Sequence, residues 1–376
     1  MHLVMLLRRA LCTCCLGLYF FVVRAQTAYF PDTAWQVKTA AELKMNQSLL
    51  DSAVQLAMTN ENKYDRDLRI AILKSYANEP NFKIYGPTRE RGGPAGLIVK
   101  NGYIVAQWGD VNRVDMTFSV TKSFLSTTVG LAVDAGLIRN VTDNVDKYIW
   151  DGSFDGQHNS KITWEHLLTQ SSDWSGTLFG QHDWADRPPK EGSLDDWKAR
   201  KLVEPGTVYE YNDVRVNLLA YSLLQVWRKP LPAVLKEKIM DPIGASTTWR
   251  WFGYDNSFVH VDGLMMQSVS GGGHFGGGMF ISARDGARFG LLFLRNGRWK
   301  SRQLISERWV QAMRQPSATN RDYGYMWWMN TSKKWKDVSP DVYYALGAGG
   351  NYIVVDNEHD LVIVTRWIDD SKWAIS

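Results

Sequence analysis

The chain contains very little cysteine, and all of it lies near one end. Its three cysteines, Cys12, Cys14 and Cys15, precede the bulk of the 376 residues. If an N-terminal segment that includes them is removed, the chain has neither a disulfide nor a thiol nucleophile. The seven histidines are scattered and do not follow the spacing of a metal-binding motif. The sequence therefore does not favour cysteine catalysis, a metal site or a cofactor.

The sequence also lacks an apolar run long enough to span a bilayer comfortably. Residues 10–23 are apolar, follow the basic pair Arg8-Arg9, and lead into Val23-Arg24-Ala25, which resembles a small-residue cleavage site. This pattern predicts a signal peptide over residues 1–25 and a secreted or periplasmic protein. The alternatives are an uncleaved anchor, which would be the only expected contact with a membrane, or lipidation of Cys14 or Cys15.

A strong excess of one charge is missing as well. The formal net charge is +4, and cleavage after Ala25 would remove three arginines and no acid, leaving +1. The sequence thus gives no argument for a nucleic-acid partner. The full sequence is 45% hydrophobic and 12% aromatic, which is enough for a sizeable core. We expect one domain over residues 26–376, with an α/β part at about 26–115 and 255–376 and a helical part at about 116–254.

Periodic patterns outline the secondary structure. A hairpin is predicted within residues 96–109, because two β-rich runs flank the turn pair Asn101-Gly102. Helical periodicity indicates helices within residues 33–78, 214–227 and 287–294, and late strands are predicted over residues 323–329, 351–355 and 361–367. The predicted fold is α+β, with an antiparallel sheet built from both chain ends, flanked by helices, and a mainly helical region inserted between them.

The richest local signal is Ser119-Val120-Thr121-Lys122, the only Ser-x-x-Lys in the chain. On a helix this spacing places the hydroxyl and the amine on one face, so that a neutral Lys122 can take the proton of Ser119. The apolar pattern from Phe118 to Ala132, closed by Gly136, puts Ser119 in the first helical turn. There the helix dipole favours an oxyanion and a depressed lysine pKa. The structural alternative is that Ser119 caps the helix and Lys122 lies on the surface.

A second motif follows at Pro205-Gly206-Thr207-Val208-Tyr209-Glu210-Tyr211-Asn212-Asp213. Together with the first, it resembles the serine β-lactamase and penicillin-binding-protein superfamily. The nearest branch is that of class C β-lactamases with the family VIII-type esterases and 6-aminohexanoate-dimer-hydrolase-like enzymes. The blocks at residues 167–172 and 276–285 resemble the same superfamily in the same order. The resemblance implies the β-lactamase/transpeptidase-like fold, Tyr211 as the catalytic tyrosine, and Asp213 in a substrate-binding position where asparagine is usual.

The third family motif, Lys-Thr-Gly, is absent from the sequence. Its place is taken by residues 346–353, where the backbone N–H of Gly349 or Gly350, next to Asn351, could complete an oxyanion hole with that of Ser119. The lost lysine removes the cation that helps to hold a β-lactam carboxylate. Neutral esters and amides therefore become the more plausible substrates.

Several residues have a structural interpretation that competes with a functional one. Tyr76-Ala77-Asn78 is a literal Tyr-x-Asn, but it precedes the serine, so we interpret Tyr76 as a packed helix residue. His274 is interpreted as a loop histidine rather than part of a third motif. The tryptophans are expected mostly to pack, with Trp174 and Trp184 the best candidates to line a substrate pocket.

Taken together, the sequence predicts a secreted serine hydrolase that cleaves a small ester, amide or peptide. In this scheme Ser119 attacks, Lys122 and Tyr211 move protons, and backbone amides hold the oxyanion. The alternatives are a β-lactamase, a D-amino-acid peptidase, or a catalytically silent ligand-binding protein on the same fold. A silent protein has no need of a nucleophile together with its base.

Overall fold

The computed structural model describes residues 28–369 and 371. The predicted signal peptide at residues 1–25 lies outside the described residues. Within the described part of the chain, no helix combines the length and the apolar character needed to cross a membrane.

Helices and strands alternate along the described chain. The helices are α1 (Gln47–Thr59), α2 (Leu68–Tyr76), α3 (Thr121–Asp134), α4 (Gly156–Asn159), α5 (Trp164–Leu168), α6 (Leu194–Lys198), α7 (Asp213–Trp227), α8 (Leu231–Leu235), α9 (Ala283–Leu294) and α10 (Glu307–Met313). The strands are β1 (Ala95–Lys100), β2 (Tyr103–Trp108), β3 (Asp115–Met116), β4 (Thr177–Leu178), β5 (Gln181–His182), β6 (Arg250–Val261), β7 (Leu264–Val269), β8 (Gly278–Ile281), β9 (Arg298–Trp299), β10 (Arg302–Gln303), β11 (Trp328–Met329), β12 (Tyr343–Gly347), β13 (Asn351–Asp356) and β14 (Leu361–Arg366).

The main sheet is built from both ends of the chain, which confirms the predicted fold class. Its six strands run in the order β11-β12-β13-β14-β1-β2, and every neighbouring pair is antiparallel. β1 and β2 form the predicted hairpin, and Asn101 and Gly102 both adopt positive φ angles in its turn, as a two-residue hairpin turn requires. Helix α9 packs against β1, β13 and β14.

A second sheet positions the backbone around Ser119. Its strand order is β3-β8-β6-β7. Strand β3 ends at Met116, just before Ser119, and β8 pairs with it antiparallel. Helix α3 follows and packs against α7 and α8 in the main hydrophobic core. The start of α3 therefore lies where the two sheets and the helical region meet.

Two predicted segments differ from the structure. The helical pattern predicted within residues 33–78 forms two separate helices, α1 and α2, and two members of its apolar stripe, Leu49 and Leu56, are exposed. The strand predicted over residues 323–329 is limited to β11. In both segments, hydrophobic periodicity alone overstates the regularity of the structure.

Candidate active site

Ser119 lies in a 3₁₀ turn, Phe118–Val120, that leads directly into α3. The residue before it, Phe118, has φ +48°, which is rare for a bulky side chain. Strand β8 holds the turn: Thr117 donates from both its N–H and its hydroxyl to the Met279 carbonyl, at 2.9 Å each. On the other side, the Thr121 hydroxyl accepts from the Met279 N–H at 2.8 Å. The serine is thus set in a strained turn that β8 fixes.

Lys122 lies beside Ser119, as the spacing predicts. Its Nζ donates to Ser119 Oγ at 2.9 Å, and its side chain is only 2% exposed. The same amine forms a short ion pair with Asp213 Oδ1. Burial, the largest single influence, lowers the pKa of Lys122, but the Asp213 carboxylate and Tyr211 together more than offset it, so that the pKa is raised. The shift is therefore opposite to the expected depression and favours the charged form of Lys122.

Asp213, the first residue of α7, sits between two cations. Oδ1 accepts from Lys122, and Oδ2 accepts from Arg187 Nη2 at 2.7 Å. Burial opposes ionisation, yet Lys122 and Arg187 hold the pKa of Asp213 below its usual range. The sequence interpretation grouped Asp213 with the substrate-binding residues. In the structure, both of its oxygens instead bind cations of the protein itself.

Tyr211, which the family resemblance predicts as the catalytic tyrosine, lies beside Lys122. Its ring faces Lys122 Nζ at 4.6 Å from the ring centroid and the Arg187 guanidinium at 5.2 Å. On another side it stacks on Trp328, with centroids 6.1 Å apart, and Trp328 in turn meets the edge of Tyr323 at 4.9 Å. The tyrosine thus joins the charged group at Ser119 to an aromatic surface.

The segment before α7 fixes the position of Tyr211. The Asn212 side chain caps α7 by accepting from the Arg215 N–H at 3.1 Å, and its amide donates to the Asp183 carbonyl at 2.7 Å. Gln170 accepts from the Asn212 N–H at 2.8 Å. Cap residues that bind on both sides leave the preceding residue little freedom, so Tyr211 is held close to Lys122.

Gly272 packs directly against the ion pair between Lys122 and Asp213. A Cβ on Gly272 would overlap both Asp213 Oδ1 and Lys122 Nζ. The sequence analysis used the block from Gly276 onward and missed Gly272. Residues 271–273 are all glycine, and local sequence does not reveal which of the three lies against the charged side chains of Asp213 and Lys122.

The glycine-rich strand end lies near Ser119, but its glycines have different roles. A Cβ on Gly347, the last residue of β12, would collide with the Thr117 carbonyl and come within 3.1 Å of the Val120 N–H. Gly349 and Gly350, which have positive φ, lie against Trp367 and the Ile368 carbonyl. The Asn351 amide donates to the Ala348 carbonyl at 2.6 Å and closes the turn. These packing contacts account for the two later glycines, and their role in the oxyanion hole stays a prediction.

A second group of charges surrounds Arg187. Its Nη1 binds Asp186 Oδ1 at 2.6 Å, and its Nη2 lies 2.9 Å from His274 Nδ1. His274 Nε2 contacts Glu79 at 2.6 Å, and the ring of Tyr76 lies tilted against the imidazole, with the ring centroids 4.0 Å apart. Tyr76 and His274, interpreted from sequence as structural, therefore pack in a charge network that reaches Asp213.

This network contains a set of possible metal ligands. One ligand atom each of Glu79, Asp186 and His274 lies within 4.8 Å of the others. Arg187 already supplies positive charge there, because it binds Asp186 at 2.6 Å. The geometry is that of a closed ion-pair network.

The tryptophans expected to line a pocket are placed differently. Trp174 is 3% exposed in the main core and donates to the Ser153 carbonyl at 2.7 Å. Trp184 stacks on His182 at 4.9 Å. Trp328, rather than Trp174 or Trp184, contacts Tyr211. The sequence assigned Trp328 to packing, and this contact could not be predicted because only the folded chain brings β11 next to the start of α7.

Comparison with known proteins fits this geometry. The family model of the beta-lactamases matches residues 88–366. The chain belongs to the beta-lactamase family. It is accordingly a serine hydrolase, and the family recognition from its motifs is confirmed. No curated protein matches the sequence.

Solved structures show the beta-lactamase fold at low sequence identity. A beta-lactamase-like protein of Bacteroides dorei DSM 17855 has a TM-score of 0.57 and 17% identity, with 86% of this chain and 91% of that chain covered. A 6-aminohexanoate-dimer hydrolase-like protein of Bacillus anthracis has a TM-score of 0.54 and 16% identity, covering 90% and 84%. A family VIII carboxylesterase has a TM-score of 0.54 and 18% identity, covering 73% and 87%. At these identities the likeness concerns the fold.

Proposed function

We propose that this protein cleaves an ester or amide bond through an acyl-serine intermediate on Ser119. The observation that carries the proposal is the 2.9 Å contact between Lys122 Nζ and Ser119 Oγ, in a site where Lys122 is buried. A positioned amine beside a hydroxyl is the minimal arrangement for nucleophilic catalysis without histidine or cysteine. No cofactor is needed for these steps.

The reaction begins when the Ser119 hydroxyl attacks the substrate carbonyl and loses its proton. Lys122, after releasing its own proton to solvent, accepts the Ser119 proton and returns it through Tyr211 to the leaving group. The backbone N–H groups of Ser119 and of Gly349 or Gly350 hold the oxyanion. Water then cleaves the acyl-serine and regenerates the hydroxyl.

The nature of the substrate is supported by charge and by the relatives. The Lys-Thr-Gly lysine is missing, and Arg187 already shares its charge with Asp186 and Asp213. The neighbours include an esterase and an enzyme named for an amide dimer. We infer a neutral substrate, carried to the site as a small molecule, with export through a signal peptide cleaved after Ala25. The mass of the mature protein tests that cleavage.

A substrate panel tests the proposed reaction. The purified protein is assayed with p-nitrophenyl butyrate, nitrocefin and a linear amide dimer. A fluorophosphonate adduct is mapped by peptide mass spectrometry. We expect ester or amide turnover, little nitrocefin cleavage, and the adduct on Ser119. Dominant nitrocefin turnover would make the protein a β-lactamase, whereas no turnover and no adduct would favour a ligand-binding protein.

The protonation state of Lys122 predicts the pH dependence of hydrolysis. Because Asp213 raises the pKa of Lys122 against the effect of burial, the deprotonated amine becomes more abundant only as the pH rises. We therefore expect kcat/KM for a pH-stable ester to increase from neutral pH up to and beyond about pH 9. A plateau at pH 7 would contradict a lysine base of this kind.

The aromatic surface beside Tyr211 predicts a preference for apolar groups. Trp328 is half-buried and stacks on Tyr211. Its replacement by alanine should raise KM for p-nitrophenyl butyrate about fivefold, because an aromatic contact is worth about 1 kcal/mol. The acetate ester should be affected less. Trp150→Ala, which removes a tryptophan that is 85% exposed, is the control, and equal effects of both changes would refute this role of Trp328.

A further inference from the structure

Arg187 contacts Asp213, the partner of Lys122, from a loop that contains none of the motifs recognised in the sequence. It follows the 3₁₀ turn Asp183–Ala185, has φ +51°, and its side chain is about one-third exposed. Its two terminal nitrogens divide their contacts. Nη1 binds Asp186 at 2.6 Å, and Nη2 binds Asp213 Oδ2 at 2.7 Å. A forked guanidinium can hold two carboxylates in a fixed relation in a way that a lysine cannot.

Asp213 is the link between Arg187 and Lys122. Each of its two oxygens binds one cation, and its side chain is 1% exposed. Its N–H donates to Asp186 Oδ2, so Asp186 ties Arg187 and Asp213 together a second time. Without Arg187, Oδ2 of this buried carboxylate would lose its nearest partner and keep only His274 Nδ1 at 3.8 Å, so that the carboxylate could turn toward Lys122 with both oxygens.

Other titratable groups face this link from several elements. Burial, followed by Arg187, lowers the pKa of His274, while burial raises that of Asp186 to about 6. Glu79 contacts His274 from the N-terminal segment, and Tyr76 lies under Arg187, 5.8 Å from the ring centroid. Tyr211 and Tyr254 complete the set: Tyr211 faces both cations, and Tyr254 binds Asn217 and Ser270.

We propose that Arg187 is a positioning residue that acts on the nucleophile through Asp213: it holds Oδ2, leaves only Oδ1 to Lys122, and so keeps Lys122 Nζ beside Ser119 Oγ. This inference rests on the proposed function of Ser119 and Lys122. It assigns Arg187 no contact with the reacting atoms. Its effect is to limit how strongly Asp213 draws the lysine away from the serine.

A double-mutant cycle tests the route through Asp213. Arg187→Gln, Asp213→Asn and the double variant are compared with the wild type on a neutral ester. We expect Arg187→Gln to lower kcat/KM about 10- to 100-fold in the wild-type background. In the Asp213→Asn background, where there is no carboxylate to hold, it should change kcat/KM by no more than about twofold.

The pH profile supplies a readout that a purely structural role would not move. In Arg187→Gln, Asp213 keeps Lys122 as its nearest cation, with His274 Nδ1 3.8 Å from Oδ2, so the rise of kcat/KM with pH should move to higher pH. In Asp213→Asn it should move to lower pH. Arg187→Lys should restore part of the activity but not the profile. Arg200→Gln is the matched control, since Arg200 also binds two aspartates, Asp173 at 2.6 Å and Asp183 at 2.7 Å, and we expect it to alter thermal unfolding without moving the profile.

Each other outcome overturns the inference in a recognisable way. Equal losses from Arg187→Gln in both backgrounds would mean that Arg187 does not act through Asp213. A loss confined to a succinate monoester, with the neutral ester unaffected, would make Arg187 a substrate-binding residue. If the wild type hydrolyses no ester and Ser119 is not labelled, the proposed function itself fails. An active wild type with an additive cycle rejects only the role of Arg187.

Discussion

Lys122→Met is expected to lower kcat/KM by about 10² to 10⁴-fold and the free energy of unfolding by about 3 kcal/mol. The first loss follows from removing the group that takes the Ser119 proton. The second follows because Asp213, which is 1% exposed, would keep its charge and lose one of its two cations. Ester hydrolysis and denaturant unfolding measure the two effects separately.

Ser119→Ala is the matched control for Lys122→Met. It should abolish turnover to a similar degree, because the nucleophile is gone. The ion pair between Lys122 and Asp213 remains, so the free energy of unfolding should change by only about 1 kcal/mol, the value of one hydrogen bond. If the two variants were equally stable, the pair would not be the buried, mutually dependent unit that the structure shows.

Gly272→Ala should have the second large effect, although glycine carries no chemistry. The added Cβ would overlap Asp213 Oδ1 and Lys122 Nζ, so one of the two charged groups must shift. A displacement of about 1 Å at a reacting group costs about 100-fold in rate, and we expect kcat for the ester to fall by at least this factor.

Gly271→Ala separates this effect from simple overpacking. Its Cβ would meet Val216 at 2.5 Å and Leu125 at 3.1 Å, both apolar. Both variants should lose about 1–3 kcal/mol of stability through overpacking. Only Gly272→Ala should also lose most of its activity at a temperature where it is folded. Equal kinetic losses in both variants would show that the loop, rather than the ion pair, limits catalysis.

Local spacing accounts for what the sequence could predict. Ser119 and Lys122 are three residues apart, in the 3₁₀ turn and at the start of α3 that follows it. The hairpin turn at Asn101-Gly102 is set by two adjacent residues, so neither prediction needs long-range information. The confirmed sheet from both chain ends required only strand patterns and the family resemblance. The oxyanion role of Gly349 and Gly350 is still a prediction.

Charges that meet only in the folded chain account for what the sequence could not predict. Glu79, Asp186, Arg187 and His274 come from three separate segments, and no spacing links them to Lys122. The helix dipole suggested a lowered lysine pKa, but a carboxylate in direct contact acts more strongly than a dipole. The one feature of the sequence that pointed to this charge network was Asp213 in place of the usual asparagine. The role of this carboxylate could not be predicted, because it depends on a cation, Arg187, that lies 26 residues earlier in the chain.

The pairing of β1 with β14 also sets the order of events during synthesis. Ala95 is opposite Arg366 and Lys100 is opposite Leu361, so an inner strand of the main sheet acquires one of its partners only when nearly the whole chain has left the ribosome. Until then the β1–β2 hairpin has an open edge, which invites pairing with other chains. A fold with such distant contacts forms slowly. Ribosome-bound chains that end before residue 361 should therefore be sensitive to proteases throughout this sheet.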